Sequence, residues 1–420
     1  MVQSMLHFIE KSPTCFHAVK TCVERLEQEG YVEADGRELL PGGKYYTTRN
    51  GSALIAFRIG EEEADGFMIA ASHSDSPCFR VRDHAELAGT YTRLSCERYG
   101  GMINASWVDR PLSIAGRVLV RTEGGIGQRL VDFEKDTVLI PNVAIHLNRA
   151  MNEGLSYDPK TDLVPLYGLA DAKGSFTKEL AALADCEEED ILATDLFVYN
   201  GHSGTVWGAK DAFVSAPRLD DLACVYTSLE AFLQAEAKQI PVFAVFDNEE
   251  IGSETKQGAG SVFLMDMLRE ICFALGMDYR RSLDHSFMLS CDNGHGLHPN
   301  HPELADRTEA PVLGGGVIVK HSPRYATDAV SAAIFCEVCR RASVPLQHYS
   351  NRPDQAGGAT LGNIADTKTP MLTADIGMAQ LAMHSSFETA ACADVSHMIR
   401  AVKALYETAL IVQGDTIRLS

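Results

Sequence analysis

Val242-Phe-Ala-Val-Phe-Asp-Asn-Glu-Glu-Ile-Gly-Ser253 is the stretch that decides the fold. Val242 to Phe246 is an apolar run of the β-branched and aromatic residues that favour strands. It runs straight into Asp247, Asn248, Glu249 and Glu250, and then Gly252. Carboxylates at the end of a buried strand cannot serve the core, because burying them unpaired is costly. They must reach solvent, find partners or hold a metal. A solvated turn explains one such acidic pair by itself. It does not explain why other apolar runs in this chain end in the same way.

Working outward, Gly66-Phe-Met-Ile-Ala-Ala-Ser72 reads as a buried strand and runs into His73-Ser-Asp75-Ser-Pro77. Ser286 to Ser290 is a short apolar strand that ends in Cys291-Asp292-Asn293. Pro370 to Asp375 is another, followed shortly by Met383-His384-Ser385. Val317 to Val319 is a further candidate strand. Asp220 opens a helix, with Leu222, Val225, Leu229 and Phe232 at helical spacing. Helical patterns also cover residues 4–29 (with a break near Ser12-Pro13), Gly260 to Leu275, Asp328 to Ala342 and, as a long close, Phe387 to Val412. Strands alternating with helices predict an α/β sheet flanked by helices, and such sheets bind ligands beyond the carboxyl ends of their strands. Between Cys78 and Ser215 the texture changes to short β-like runs, such as Leu112 to Val120, Asp136 to Ile140 and Leu192 to Tyr199, separated by Gly, Pro and Asn turns. A helical, acidic patch interrupts them near Lys178 to Asp190. The predicted organisation is a discontinuous catalytic domain of residues 1–77 and 216–420 carrying a β-rich insertion, 78–215.

Composition narrows the partners. The 420 residues carry a net charge of -20, which argues against nucleic acid or an anionic membrane surface. No segment approaches the roughly 20 apolar residues of a membrane-spanning helix. The N-terminus lacks a signal-peptide pattern, and eleven scattered cysteines fit reduced thiols, so the reading is cytoplasmic. Cys336 and Cys339 lie inside a helical pattern with no second pair and read as core packing.

His73, Asp220, Glu250, Asp292 and His384 sit at strand ends or helix starts. Each has an ordinary explanation: a hydrogen-bonded core imidazole, an N-cap for Asp220, an Asx turn before Gly294 for Asp292. Those explanations require five separate coincidences. Together the residues form a nitrogen-and-oxygen donor set suited to zinc, manganese or cobalt. If Asp220 bridges, five side chains make six bonds, three to each of two divalent ions, with a shared position left for water. Asp75 lies two residues after His73 and faces the same way in extended chain, where it can accept the imidazole's other N–H. Glu249 is left over beside Glu250, the natural general base.

His-Ser-Asp-Ser-Pro-Cys (73–78), Pro-Arg-Leu-Asp-Asp-Leu (217–222), Asp-Asn-Glu-Glu-Ile-Gly-Ser (247–253), Asp-x5-His-Pro-Asn (292–300), Arg-Tyr-Ala (324–326) and Ala-Met-His-Ser (382–385) resemble the aspartyl aminopeptidase family, which includes the yeast vacuolar aminopeptidase. The likeness begins at Ser12-Pro-x3-Phe-His-Ala-Val19 and extends to the last helix. It implies a co-catalytic di-zinc exopeptidase with a mixed central sheet and an inserted dimerisation domain. It further implies one metal on His73 and Asp292, the other on Glu250 and His384, Asp220 bridging, and Glu249 as base. His146, in Ala144-Ile-His-Leu147, is implied to reach across a dimer to the reacting carbonyl. The implied assembly is a tetrahedral homododecamer acting on peptides. Two positions depart from the pattern: Asp221 stands where Asn is frequent, and Ser322 where a Lys accompanies acidic selectivity. Acidic first residues are the expected substrates, with Lys320 nearby as a cation. The alternatives are neutral first residues, an amidohydrolase of N-acyl amino acids, or an inert scaffold.

Overall fold

The computed structural model describes residues 1–355, 357–413 and 416–420. The chain divides into two compact units, one of residues 1–75, 204–383 and 388–420, the other of residues 76–203 with 384–387.

The first unit is built on a nine-stranded sheet. Its strands, in spatial order, are Val32–Glu33, Lys44–Arg49, Ala53–Arg58, Ile240–Phe246, Phe67–His73, Phe287–Cys291, Leu372–Gly377, Val317–His321 and Leu346–Ser350. The four from Ile240–Phe246 to Leu372–Gly377 run parallel to one another, with Phe246 level with His73. The outer pairings are mixed. Phe67–His73 is buried at every position, as a strand covered on both faces must be. Its side chains alternate between two cores. Met68 and Ala70 join Val19, Leu222, Val225 and Phe335 on one face, while Ile69 and Ala71 join Phe263, Leu268 and Leu361 on the other. Each fully buried side chain of that size contributes about 1.5–3 kcal/mol. The helices Val2–Glu10, Cys15–Gln28, Leu219–Gln234, Ala329–Arg341 and Cys392–Tyr406 supply the first face, and Phe263–Leu275, Tyr279–Asp284 and Leu361–Asp366 the second. A separate five-stranded sheet runs Thr205–Trp207, Phe213–Ala216, Glu388–Ala391, Ala379–Leu381, Gly294–His295.

Residues 204–215, read from their texture as part of the insertion, belong to this first unit. The reason is long-range pairing: Phe213–Ala216 lies antiparallel to Glu388–Ala391. The same pairing replaces the start of the long closing helix with a strand, so the helix begins only at Cys392 and ends at Tyr406, before a strand at Leu410–Gln413.

In the second unit, Ile191–Tyr199, Cys78–Leu87, Tyr91–Tyr99, Leu166–Leu169, Val138–Leu139, Pro111–Thr122 and Gly125–Asp132 form an antiparallel sheet. Ile191–Tyr199 also pairs with Pro111–Thr122, which closes the sheet into a ring around Phe79, Leu94, Ile114, Val118 and Val198. The helix Ser175–Leu183 is fixed by Glu86, whose carboxylate accepts the Gly174 and Phe176 N–H groups, and by stacking of Phe176 on Phe133. All eleven cysteines are free thiols.

Candidate active site

Three neighbouring parallel strands of the first unit end in residues that do not fit a core. Phe67–His73 ends in His73, which is 1% exposed. Ile240–Phe246 leads into the short turn of 3-10 helix Glu249–Ile251, and Phe287–Cys291 leads into Asp292. Asp220, in the first turn of Leu219–Gln234, approaches the same point. Donor atoms of His73, Asp220, Asp221 and Asp292 all lie within 4.8 Å of one another, as do those of His73, Glu249 and Glu250. His73 Nε2 is 3.5 Å from Asp220 Oδ1. The structure therefore brings together His73, Asp220 and Asp292 in one group and sets Glu249 and Glu250 beside His73.

The electrostatics are those of crowded anions with little water. Burial pushes Asp221 well above the usual carboxylate range. It also raises Asp292, against the opposing charge of Lys320. Glu249 is lifted to about 7, first by burial and then by its anionic neighbours. Burial works against a charge on His73, yet Asp220, Asp221 and Asp75 together hold its pKa well above the ordinary value. Packing several carboxylates around one imidazole is expensive unless a cation balances them, and a divalent ion supplies that balance. The donor set, one imidazole nitrogen with carboxylate oxygens, fits zinc.

Asp75 does more than its spacing suggested. Its side-chain Oδ1 is 3.4 Å from His73 Nδ1, while its own backbone carbonyl is nearer, at 3.0 Å. The carboxylate also engages two successive backbone amides: Oδ1 accepts from Glu249 N–H at 3.1 Å and Oδ2 from Glu250 N–H at 3.2 Å. One buried carboxylate thus cradles the turn that presents both glutamates. In Asp75→Asn, one acceptor oxygen becomes an NH2 group facing an N–H. The expected result is a fall in kcat of about tenfold or more with KM little changed, read by steady-state kinetics.

Three further residues shape the site: Asp221 and Lys320, for which the sequence had suggested other roles, and Glu388, which it did not single out. Asp221 is fully buried and its Oδ2 accepts the His73 backbone N–H at 3.2 Å. Lys320 is 2% exposed, donates to the Asn293 carbonyl at 2.8 Å and lies 3.5 Å from Asp292 Oδ2. A lysine at the end of the apolar run Val317-Ile-Val319 was a signal of the same kind as the strand-end acids. Its ammonium is already occupied by Asp292 and Asn293, which weighs against its serving as a freely offered cation for an acidic substrate. Glu388, 1% exposed, accepts the Asp220 backbone N–H at 2.9 Å. Nearby in the same unit, a cavity of about 440 Å3 is lined by His295, His298, Tyr349, Arg352, Gln380 and Leu381, among others.

The two remaining sequence-predicted residues lie in the second unit. His384 follows Met383 directly in the chain and takes a left-handed backbone conformation at φ 66°. Its Nδ1 is 2.7 Å from the Gly101 carbonyl, and its own carbonyl accepts from Ile103 N–H at 2.9 Å. The ring is therefore oriented through Nδ1. His146 is exposed on a turn in which the Ala144 carbonyl accepts the Leu147 N–H at 2.8 Å.

A carboxylate-and-imidazole cluster beyond the ends of parallel strands is the centre of a metal-dependent hydrolase. The family model for aminopeptidase I zinc metalloproteases (M18) matches residues 8–406, and the chain belongs to that family, which includes the aspartyl aminopeptidases. A probable M18 family aminopeptidase 2 of Clostridium novyi is 39% identical, the match covering 96% of this chain and 97% of that one. One from Clostridium acetobutylicum is 40% identical over 94% and 95%. Among solved structures, Ape4 in its complex with Nbr1 superimposes with a TM-score of 0.92 at 31% identity, covering 96% of this chain and 85% of that one. The S. cerevisiae mApe1 dodecamer does so with 0.84 at 28%, covering 96% and 95%. The mixed α/β fold with several sheets is that of these aminopeptidases. The chain is a hydrolase, a zinc aminopeptidase of the M18 family. No helix among the described residues is long and apolar enough to cross a membrane.

Proposed function

We propose that this chain is a di-metal aminopeptidase that removes single N-terminal residues from peptides, acidic ones among them. The observation that carries the reading is the buried grouping of His73, Asp220 and Asp292 with Glu249 and Glu250 beside it. His73 and Asp292 would hold one ion and Glu250 and His384 the other, with Asp220 shared between them. Zinc bound there, or cobalt or manganese in its place, would supply carbonyl polarisation and a more acidic water. Glu249 takes the proton from the attacking water and delivers it to the leaving amine. Burial raises the pKa of this carboxyl, which favours a group that can both take and release a proton. Asp75 holds the Glu249-Glu250 turn, and its placement beside His73 keeps the ring oriented. Glu388 and Asp221 fix the backbones of Asp220 and His73.

The second unit is read as a dimerisation domain, and dimers as the building block of a tetrahedral dodecamer. The unit offers apolar side chains that a subunit contact could cover: Leu147 is 83% exposed, Ile126 70% and Leu169 66%. The mApe1 dodecamer among the solved relatives points the same way. His146, on the exposed turn, is offered to a partner's site, where it donates to the oxyanion of the reacting carbonyl. Loss of one such donor costs about 10²–10³ in kcat. Mixing two inactive proteins, His146→Ala and Glu249→Gln, under conditions that exchange subunits should therefore restore activity, because a hybrid dimer holds one site with both residues intact. A fully active His146→Ala, or an exchanged mixture that stays inactive, refutes the shared site. Eleven free thiols fit a reducing compartment, and the working location is the cytoplasm.

The function is tested with aminoacyl nitroanilides and N-acyl amino acids, assayed after chelation and after return of defined metals. Turnover of the nitroanilides alone, lost on chelation and regained with zinc, is the expected result. Turnover of N-acyl amino acids instead makes the chain an amidohydrolase. Within the nitroanilides, a kcat/KM for Leu tenfold or more above that for Asp and Glu removes the acidic preference and leaves the aminopeptidase standing.

A further inference from the structure

The turn that carries Glu249 and Glu250 is held from both sides. On one side is the Asp75 carboxylate. On the other is Asn248, the residue just before the base. Asn248 adopts the left-handed conformation (φ 62°, ψ 25°), which asparagine tolerates better than most residues. Its backbone carbonyl accepts from Ser253 N–H at 2.8 Å, closing the turn. Its side-chain Oδ1 accepts two hydrogen bonds from the returning chain, Thr255 Oγ1 at 2.8 Å and Gln257 Nε2 at 2.9 Å. The Gln257 carbonyl in turn accepts Asp247 N–H at 3.1 Å, immediately before Asn248. The return is tight: a Cβ on Gly258 would stand 2.3 Å from the Ser253 carbonyl oxygen, so only glycine fits there.

We propose that Asn248 is a positioning residue for catalysis, its side-chain oxygen fastening residues 255–257 so that Glu249 is held at its working angle. A turn bracketed by left-handed residues at Asn248 and Gly252 has no helix or sheet ladder beyond it to fix its orientation. The two bonds at Oδ1 supply that constraint from one side as Asp75 supplies it from the other. The proposal deepens the reading of Glu249 as general base and rests on it. Neither Thr255 nor Gln257 is proposed to touch substrate, so their effect would run through Asn248 and, for Gln257, also through the Asp247 side chain it hydrogen-bonds.

Asn248→Gly keeps the left-handed backbone without strain and removes the Oδ1 acceptor together with the Nδ2 bond to Asp247 Oδ1 at 3.3 Å. Thr255→Val combined with Gln257→Ala removes both donors while leaving Asn248 in place. Both proteins are expected to keep the metal content of the parent by elemental analysis and a KM within about twofold. Their kcat should fall by about tenfold to a hundredfold, the scale of a small misplacement of a catalytic group. Thr255→Ser, which retains the hydroxyl, should stay within about twofold of the parent. Glu249→Gln is measured alongside. If it is inactive while Asn248→Gly and the double variant keep the parent kcat, the positioning role is overturned and the base stands. If Glu249→Gln itself is active, the base reading falls and this proposal with it. Loss of metal or a collapsed melting temperature in both Asn248→Gly and the double variant makes Asn248 a folding element and likewise overturns the proposal.

Discussion

Glu249→Gln lowers kcat by about 10²–10⁴-fold while the protein retains its metals and still binds substrate. The substitution is nearly isosteric, so the turn and the two amide bonds to Asp75, which use the backbone of residues 249 and 250, remain. What disappears is a group that can carry a proton between water and amine. Burial lifts Glu249 to about 7, whereas a solvated carboxylate would be too weak a base and too strong an acid to serve in both directions. Stopped-assay kinetics with a peptide nitroanilide, together with elemental analysis, check the result. A variant with near-parental kcat refutes the assignment.

His73→Ala and His384→Ala should each lose one metal equivalent per subunit and nearly all activity. His73 is a fully buried ring in contact with Asp220, and its removal leaves the neighbouring carboxylates without a nitrogen donor. The metal-free carboxylates then repel one another more strongly, so the affinity of the surviving site should drop as well. The fold should survive, because the His73 backbone N–H keeps its bond to Asp221 and the strand keeps its ladder to Phe246. Elemental analysis after exhaustive dialysis reads the effect, and full metal content in both variants would sink the ligand assignment.

The strand ends were legible because they break a local rule. Val242–Phe246 and Gly66–Ser72 are apolar runs of strand length, and the carboxylates and imidazole that follow them have no place in a core. Helices Leu219–Gln234 and Ala329–Arg341 announced themselves by their 3.6-residue period. Positions that depend on distant chain were hidden. Phe213–Ala216 looked like its β-rich predecessors, and only its pairing with Glu388–Ala391 assigns it to the first unit. Asp75 does lie beside the His73 ring, as the alternation of extended chain predicts, but its two amide partners come from residues 249 and 250, which local sequence could not reveal. Lys320 was expected to offer a charge to substrate. Its burial against Asp292 depends on the antiparallel placement of Val317–His321 beside Leu372–Gly377, which local sequence does not encode.

Neighbouring parallel strands start their outgoing loops about 4.8 Å apart, whatever the length of chain between them. His73, the turn at Glu249 and Asp292 all issue from such neighbours, Phe67–His73 being the middle strand of the three. The groups that would hold an ion are therefore fixed in part by the end of a fully buried strand, the central one of nine, and not by surface loops alone. Exchange of the amide hydrogens of residues 67–73 with solvent should be among the slowest in the protein, set by the opening of the sheet itself. The spacing of these donor groups would then persist through the local fraying that opens loops, for as long as the sheet stays closed.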